Sequence, residues 1–263
     1  MLLSKILDPE TIKQRPMNAL FVAAFFVGFG FVTAFFIFPA EFSVSMISFS
    51  SLFMLPFVIK ILETEEIGKK LKGLNIFQRH NQMMVFFIFI FFGMSVEYML
   101  LFGFVHPAIG NVAFEQQLSL IFRSPAGYFS NEALFWEIVG NNLRIVLIST
   151  FLSLIYGVGA LFVLNYNASI VGMIYGSSIR KVIWATYYPV FPNPLWYLPH
   201  IILEVLAYLI AAIAGGIMYK SIKLGERSYQ SLFRDAGFLL IISVILIFVA
   251  GYVEVTVPFI PRR

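Results

Sequence analysis

Long apolar runs dominate this sequence, and they constrain its fold more than any other feature. A helix needs about 20 consecutive apolar residues to cross the hydrocarbon core of a bilayer. Seven stretches reach or approach that length: 18–38, 42–61, 83–105, 143–164, 168–190, 195–219 and 236–257. The sequence therefore predicts an all-α, polytopic transmembrane helix bundle of about seven membrane segments (six to seven), surrounded by a lipid bilayer.

The composition agrees with a membrane protein and excludes other classes. The chain is 60% hydrophobic and 12% charged, whereas soluble chains are about 45–50% apolar and about 25% charged. Its 31 phenylalanines exceed what one soluble core of this length can bury. The absence of cysteine excludes thiolate catalysis, iron–sulfur clusters and cysteine-ligated zinc. The net charge of +4 arises from basic residues concentrated in the loops between apolar runs. It therefore predicts no nucleic-acid partner.

The distribution of Lys and Arg predicts the orientation in the membrane. Basic residues accumulate in short loops on the cytoplasmic side. Three basic regions share one side if all seven segments cross: the arm before residue 18 and the loops 62–82 and 220–235. We therefore expect a multipass protein of the cell membrane with a cytoplasmic N-terminus and an external C-terminus.

The apolar runs and the stretch between them divide the chain into three regions. We expect a three-helix membrane region at 1–105, outer-face amphipathic helices at 106–142 and a four-helix membrane region at 143–263. The middle region is too long and too apolar for a simple connector. Within it, 112–122 and 131–139 are typical of amphipathic helices on the outer face of the membrane or bundle, separated by Pro125 and Gly127. The second helix is expected to continue into the segment 143–164.

Ionisable residues inside apolar segments are costly, face the interior of the bundle and are candidates for function. They are Glu97, Arg144, Arg180, Lys181, His200 and Glu204. With a rise of about 1.5 Å per residue and alternating segment directions, all of them fall in the outer half of the membrane. The sequence therefore predicts a single buried polar cluster.

Helical spacing supports the same cluster. His200 and Glu204 are four residues apart and share a helix face. Small residues continue that face at Ala207, Ala211 and Gly215, and a second small-residue stripe leads to Arg180 through Ala168, Gly172 and Gly176. Such stripes are packing surfaces, so Arg180 is expected to point into protein. One face of the helix entering the fourth segment carries Glu137, Asn141 and Arg144.

The cluster allows three chemical interpretations. His200 and Glu204 can supply two ligands to Zn²⁺ or another divalent ion, with Glu97 or Glu137 completing the shell. They can instead be hydrogen-bonded structural residues that neutralise Arg180 or Arg144, or members of a proton relay. Glu97 is expected to pair with Arg180, Lys181 or Arg144. The chain contains no HExxH, GxSxG or P-loop motif and no Ser–His–Asp arrangement, which argues against an enzyme.

Four short motifs in the second half of the chain resemble a known family. They are Asn141-Asn142-Leu-Arg144, Gly157-Val-Gly159, Asn165-Tyr-Asn167-Ala168 and Pro199-His200-Ile-Ile-Leu-Glu204. The stretch 137–220 resembles the stage II sporulation protein M family, whose pattern is Asn-Asn-x-x-Arg, Gly-x-Gly, an Asn-Gly turn and Pro-His-x-x-x-Glu. This chain has Asn167-Ala168 in place of Asn-Gly. The motif residues Asn141, Asn142, Arg144 and Asn167 are assigned to the predicted polar cluster. The resemblance covers roughly the C-terminal half and leaves 1–105 unaccounted for.

The resemblance implies a multipass membrane protein in membrane or envelope remodelling. The sporulation member of the family is understood as a scaffold that localises wall-hydrolysing partners. This favours a non-enzymatic scaffold or assembly factor with membrane-protein partners, and the small-residue stripes are compatible with a homodimer. Two alternatives stay open: a transporter of protons, ions or lipid-like substrates with Glu97, His200 and Glu204 as its relay, and a metal-dependent membrane hydrolase.

Overall fold

Apart from short turns, the described part of the chain is helical. The computed structural model describes residues 16–64, 76–123, 131–186, 194–224 and 229–256. We number its helices α1 Met17–Ile37, α2 Phe42–Thr64, α3 Ile76–Phe104, α4 Pro107–Ala113, α5 Glu115–Arg123, α6 Asn131–Tyr156, α7 Ala160–Trp184, α8 Leu198–Leu224 and α9 Tyr229–Thr256. A short 3₁₀ helix, Pro194–Tyr197, precedes α8. The described residues form no strand, which confirms the all-α class.

In the part of the chain that the structure describes, six helices are long and apolar enough to cross a membrane. Their spans are Met17–Ile37, Phe42–Ile61, Asn81–Phe104, Glu132–Tyr156, Leu198–Tyr219 and Leu232–Thr256. The chain is therefore a multipass membrane protein, and the predicted range of six to seven segments is confirmed at its lower end. The expected segment 168–190 corresponds to α7, which is not among the six.

Helix α7 is less apolar than the six candidate membrane spans, and its polar residues are tolerated because they contact protein. It packs most extensively along α3 and runs in the same direction, with Gly172 beside Ser95, and Ile179 beside Gly103. Four of its polar residues are buried: Asn165, Ser169, Ser177 and Arg180. A helix that neighbouring helices shield from lipid does not need an apolar surface on every side. Its mean hydropathy is therefore a poor indicator of how deeply it lies in the bundle.

The turn between α6 and α7 lies earlier in the chain than predicted. The sequence analysis placed the break at 165–167, but α6 ends at Tyr156 and α7 begins at Ala160. Gly157 has φ +72°, a left-handed conformation that favours glycine, and a Cβ there would come within 2.8 Å of the Tyr219 ring. Asn167-Ala168 lies inside α7, so the turn expected at this motif was wrong.

The connector between α3 and α6 is more deeply packed than the sequence suggested. The expected helix 112–122 is two helices, α4 and α5, separated at Phe114. The buried Phe114 ring packs edge-on against Phe102 and Tyr98, with centroids 5.0 and 6.0 Å away. The expected continuation of 131–139 into the next segment is confirmed, since α6 is continuous. Pro125 and Gly127 lie outside the described residues.

Small residues produce the closest helix contacts, as predicted. A Cβ on Gly176 would lie 2.7 Å from the Met99 carbonyl oxygen, and a Cβ on Gly215 would lie 2.4 Å from that of Thr150. The backbones of α7 and α3, and of α8 and α6, therefore approach each other where a side chain has no room.

The predicted orientation and division into three regions stay predictions. Most basic residues that determine the orientation lie outside the described residues. The contact between α7 and α3 joins the first and third predicted regions in one hydrophobic core.

Candidate functional site

Asn142 links α6 to two residues of α8. Its Nδ2 donates a hydrogen bond to Glu204 Oε1 at 2.5 Å, and the Tyr208 hydroxyl donates to Asn142 Oδ1 at 2.5 Å. Glu204 and Tyr208 are one helical turn apart, which lets one amide bond both. This link places Glu204 on the packed side of α8, as the sequence predicted.

Two further ionisable groups complete what we call the Glu204 site: Asn142, His200, Glu204, Tyr208 and Glu254. The buried His200 lies one turn before Glu204, with its ring centroid 5.9 Å from that of Tyr197. Glu254, near the end of α9, lies close enough to Glu204 and Tyr208 for their charges to interact. The sequence analysis missed Glu254, although its position inside the apolar run 236–257 is a signal that could have found it.

A partly enclosed cleft adjoins the Glu204 site between α7 and α8. Its volume is about 160 Å³. Its lining combines four polar residues with an aliphatic wall: Asn167, His200, Glu204 and Tyr208, and Ile170, Val171, Ile174, Ile201 and Val205. Three predicted site residues, Asn167 of α7 and His200 and Glu204 of α8, line this cleft together.

Arg180 holds the connector to the end of α7. The side chain is completely buried; Nη1 donates to Asn111 Oδ1 at 2.8 Å and Nη2 to the Val105 carbonyl at 3.3 Å. Its guanidinium carbon lies 3.8 Å from the centroid of the Phe102 ring, a cation–π contact. A Cβ on Gly110 would overlap the guanidinium group. The prediction that Arg180 points into protein is confirmed.

A third polar group, which we call the Asn165 network, joins four helices: Ser43 and Ser51 of α2, Tyr98 of α3, Gln117 of α5, and Asn165 and Ser169 of α7. Asn165 Nδ2 donates to Ser51 Oγ at 2.9 Å and to the Ile47 carbonyl at 3.1 Å. The Tyr98 hydroxyl donates to Asn165 Oδ1 at 3.0 Å.

Gln117 forms the second half of this network. Its Nε2 donates to Ser169 Oγ at 2.9 Å, and its Oε1 accepts a bond from Ser43 Oγ at 2.9 Å. Neither half was predicted from the sequence, because the candidate site residues were chosen mainly for ionisable side chains, and most amides and hydroxyls were passed over. The signal was Asn165 and Ser169, one turn apart in an otherwise apolar stretch.

The remaining predicted residues do not join one cluster. Glu97 faces α1, with Oε1 3.1 Å from where a Cβ on Gly28 would lie. Its expected pairing with Arg180 was wrong, because the Arg180 guanidinium group bonds to the connector at Asn111. Pairing with Lys181 or Arg144 stays a prediction. Four candidates are exposed: Glu137, Asn141, Arg144 and Lys181. Residues on different helices can lie at the same depth in the membrane without contact. The helix face that a residue occupies determines which neighbouring helix its side chain contacts.

The geometry does not assemble the expected metal shell. The described residues contain no group of three or more His, Asp or Glu side chains that could hold a metal ion. Glu97 and Glu137 were expected to complete the metal shell, but neither lies beside His200 and Glu204. Glu97 faces α1, and Glu137 is exposed on α6.

Among the described residues, six apolar helices that enclose buried polar groups define a multipass membrane protein. Residues 19–257 match the family described as stage II sporulation protein M, and the chain belongs to that family. The match includes α1 to α3, so it extends well beyond the 137–220 stretch recognised from the motifs. No curated protein and no solved structure gave a significant match.

Proposed function

We propose that this protein is a non-enzymatic membrane scaffold or assembly factor in membrane or envelope remodelling. The observation that carries the proposal is the Asn165 network, in which polar side chains bond to each other across α2, α3, α5 and α7. Hydrogen bonds satisfied inside the bundle hold helices in a fixed arrangement. Such rigidity suits a protein that positions others.

Membership of the stage II sporulation protein M family supports the same role. The Asn141-Asn142-Leu-Arg144 motif adds a structural reason, because its residues face two ways. Asn142 is buried against α8, whereas Asn141 and Arg144 are exposed on α6. Exposed polar groups in an apolar helix are costly in lipid. A membrane-protein partner that covers them would remove this cost, so we place the partner contact here.

Photo-cross-linking in native membranes tests the scaffold proposal. A photoreactive residue at Asn141 should give one discrete adduct with a membrane or envelope protein. Arg144→Glu should abolish that adduct, because it reverses the charge beside the contact. The control is Phe25 of α1, which is 57% exposed on a different helix. No adduct at Asn141, or the same adducts at Phe25, would contradict the proposal.

The cleft beside Glu204 favours a second candidate function, a transporter of protons, ions or lipid-like substrates. Liposomes containing the protein would then show a flux that Glu204→Gln abolishes. Absence of flux under proton, ion and lipid gradients would eliminate this candidate. No observation on the described residues favours the metal-dependent hydrolase.

A further inference from the structure

The cleft between α7 and α8 has a one-sided chemistry, acidic and without a basic side chain, that goes beyond the scaffold proposal. Nine described residues line it, and none of them is Lys or Arg. Its acidic group is the Glu204 carboxyl, flanked by the His200 imidazole and the Tyr208 phenol. A ligand that complements this lining carries a positive charge or donates hydrogen bonds.

The neighbouring helices strengthen this bias. Asn142 of α6 donates to one oxygen of Glu204, which leaves the carboxylate able to accept further bonds. Glu254 of α9 adds a second carboxyl group close to the first. On α7, Asn167 donates its amide hydrogen to the Val163 carbonyl at 2.8 Å. Two carboxylates in an apolar bundle repel each other, and a bound cation relieves both the repulsion and the cost of burial.

The walls of the cleft indicate how a ligand reaches it. Ile170, Val171, Ile201 and Val205 are only partly buried, so the cleft reaches the surface of the bundle. Since α8 is one of the six apolar spans, that surface meets acyl chains. The volume of about 160 Å³ corresponds to about five waters at about 30 Å³ each, enough for an ammonium group and its first carbons.

We propose that this cleft binds an amphiphile with an ammonium head. The ammonium group hydrogen-bonds the Glu204 carboxylate near Glu254, and the alkyl chain lies along the aliphatic wall between α7 and α8. An aminophospholipid and a free alkylamine both present this chemistry. The inference concerns binding alone and holds whether the protein is a scaffold or a transporter.

Calorimetric titration of the full chain in nanodiscs free of aminolipid tests the proposal, with hexylammonium as the probe. The wild type should bind it saturably. Glu204→Gln should weaken binding at least about tenfold, because it removes a charge-assisted hydrogen bond. The matched control is Glu97→Gln, the same change on the face of α3 toward α1, which should leave binding unchanged.

A second variant keeps the test decisive if Glu204→Gln does not fold. Ile170→Trp fills the cleft from α7 and leaves both carboxyl groups in the chain, and it should also abolish binding. Competition by lysophosphatidylethanolamine but not lysophosphatidylglycerol would identify a lipid as the source of the ammonium group, whereas hexylammonium binding with no competition would identify a free amine. Equal affinity in the wild type, Glu204→Gln and Ile170→Trp would overturn the proposal. So would binding of hexanol as tight as that of hexylammonium, or no binding by the wild type.

Discussion

The Asn165 network and the Glu204 site are both polar and interior, but their surroundings differ. In the network, amides and hydroxyls with no net charge bond to one another between four helices. At the Glu204 site, the Glu204 carboxyl group and the His200 imidazole line a cleft, and Glu254 supplies a second carboxyl group nearby. Neutral, mutually bonded groups stabilise a helix arrangement, whereas charged groups beside open space are poorly suited to that role and well suited to binding.

Disrupting the contact between α7 and α3 at Gly176 should cause the largest loss of folding stability. In Gly176→Ala the new Cβ meets the Met99 carbonyl oxygen, so α7 and α3 must separate. Overpacking of this kind costs about 1–3 kcal/mol, and we expect the upper end because the obstacle is backbone. Thermal unfolding in nanodiscs measures the loss. The control is Gly140→Ala on α6, where no atom lies within 4 Å of the new Cβ and stability should hold or rise.

Removing the central amide of the network should have the next largest effect. Asn165→Leu leaves the Tyr98 hydroxyl and the Ile47 carbonyl without this partner. Interhelical hydrogen bonds in membrane proteins contribute about 0.6–2 kcal/mol each, so we expect a loss of about 2 kcal/mol. Asn167→Leu is the matched control, because the Asn167 amide donates within its own helix. Equal losses in the two variants would contradict the network as a support of the fold.

The Arg180 contact should show a smaller and more local effect. Gly110→Ala places a methyl group where the guanidinium lies, which displaces it from Asn111 and from the Phe102 ring. We expect a loss of about 1 kcal/mol, similar to one charge-assisted contact. Hydrogen exchange should rise in α4, Pro107–Ala113, and stay unchanged in α8. Unchanged exchange in α4 would show that Arg180 does not hold the connector.

Changing the charge at the Glu204 site should affect stability least. Glu204→Gln retains an oxygen that accepts the Asn142 bond and removes the repulsion with Glu254. We therefore expect a change within about 0.5 kcal/mol, as for substitutions that leave packing intact. Chemical denaturation can measure it. A loss as large as that of Asn165→Leu would mean that the Glu204 site is structural.

The sequence predicted the parts of this architecture that depend on length, hydropathy and helical spacing. The apolar runs located six spans, and four-residue spacing located the packed faces at Gly176, Arg180 and Glu204. The sequence could not reveal which helix each face meets. Glu97 and Tyr98 are adjacent and about 100° apart on α3, so one faces α1 and the other α7.

Two other features depended on tertiary context. The turn at Gly157 was hidden because a glycine in an apolar stretch can continue a helix, and only its positive φ shows the break. The Asn165 network depends on Gln117, whose insertion between α2 and α7 follows from the path of the connector and from no local pattern.

The central claim is that the polar interior is divided into a structural network and a binding site. The most direct test compares the unfolding temperatures of Asn165→Leu and Glu204→Gln in the same nanodiscs. For a chain of this size 1 kcal/mol corresponds to about 2–4 °C. We expect Asn165→Leu to fall by about 4–8 °C and Glu204→Gln to stay within about 2 °C of the wild type. A fall of equal size in both variants, or a larger one in Glu204→Gln, would contradict the claim.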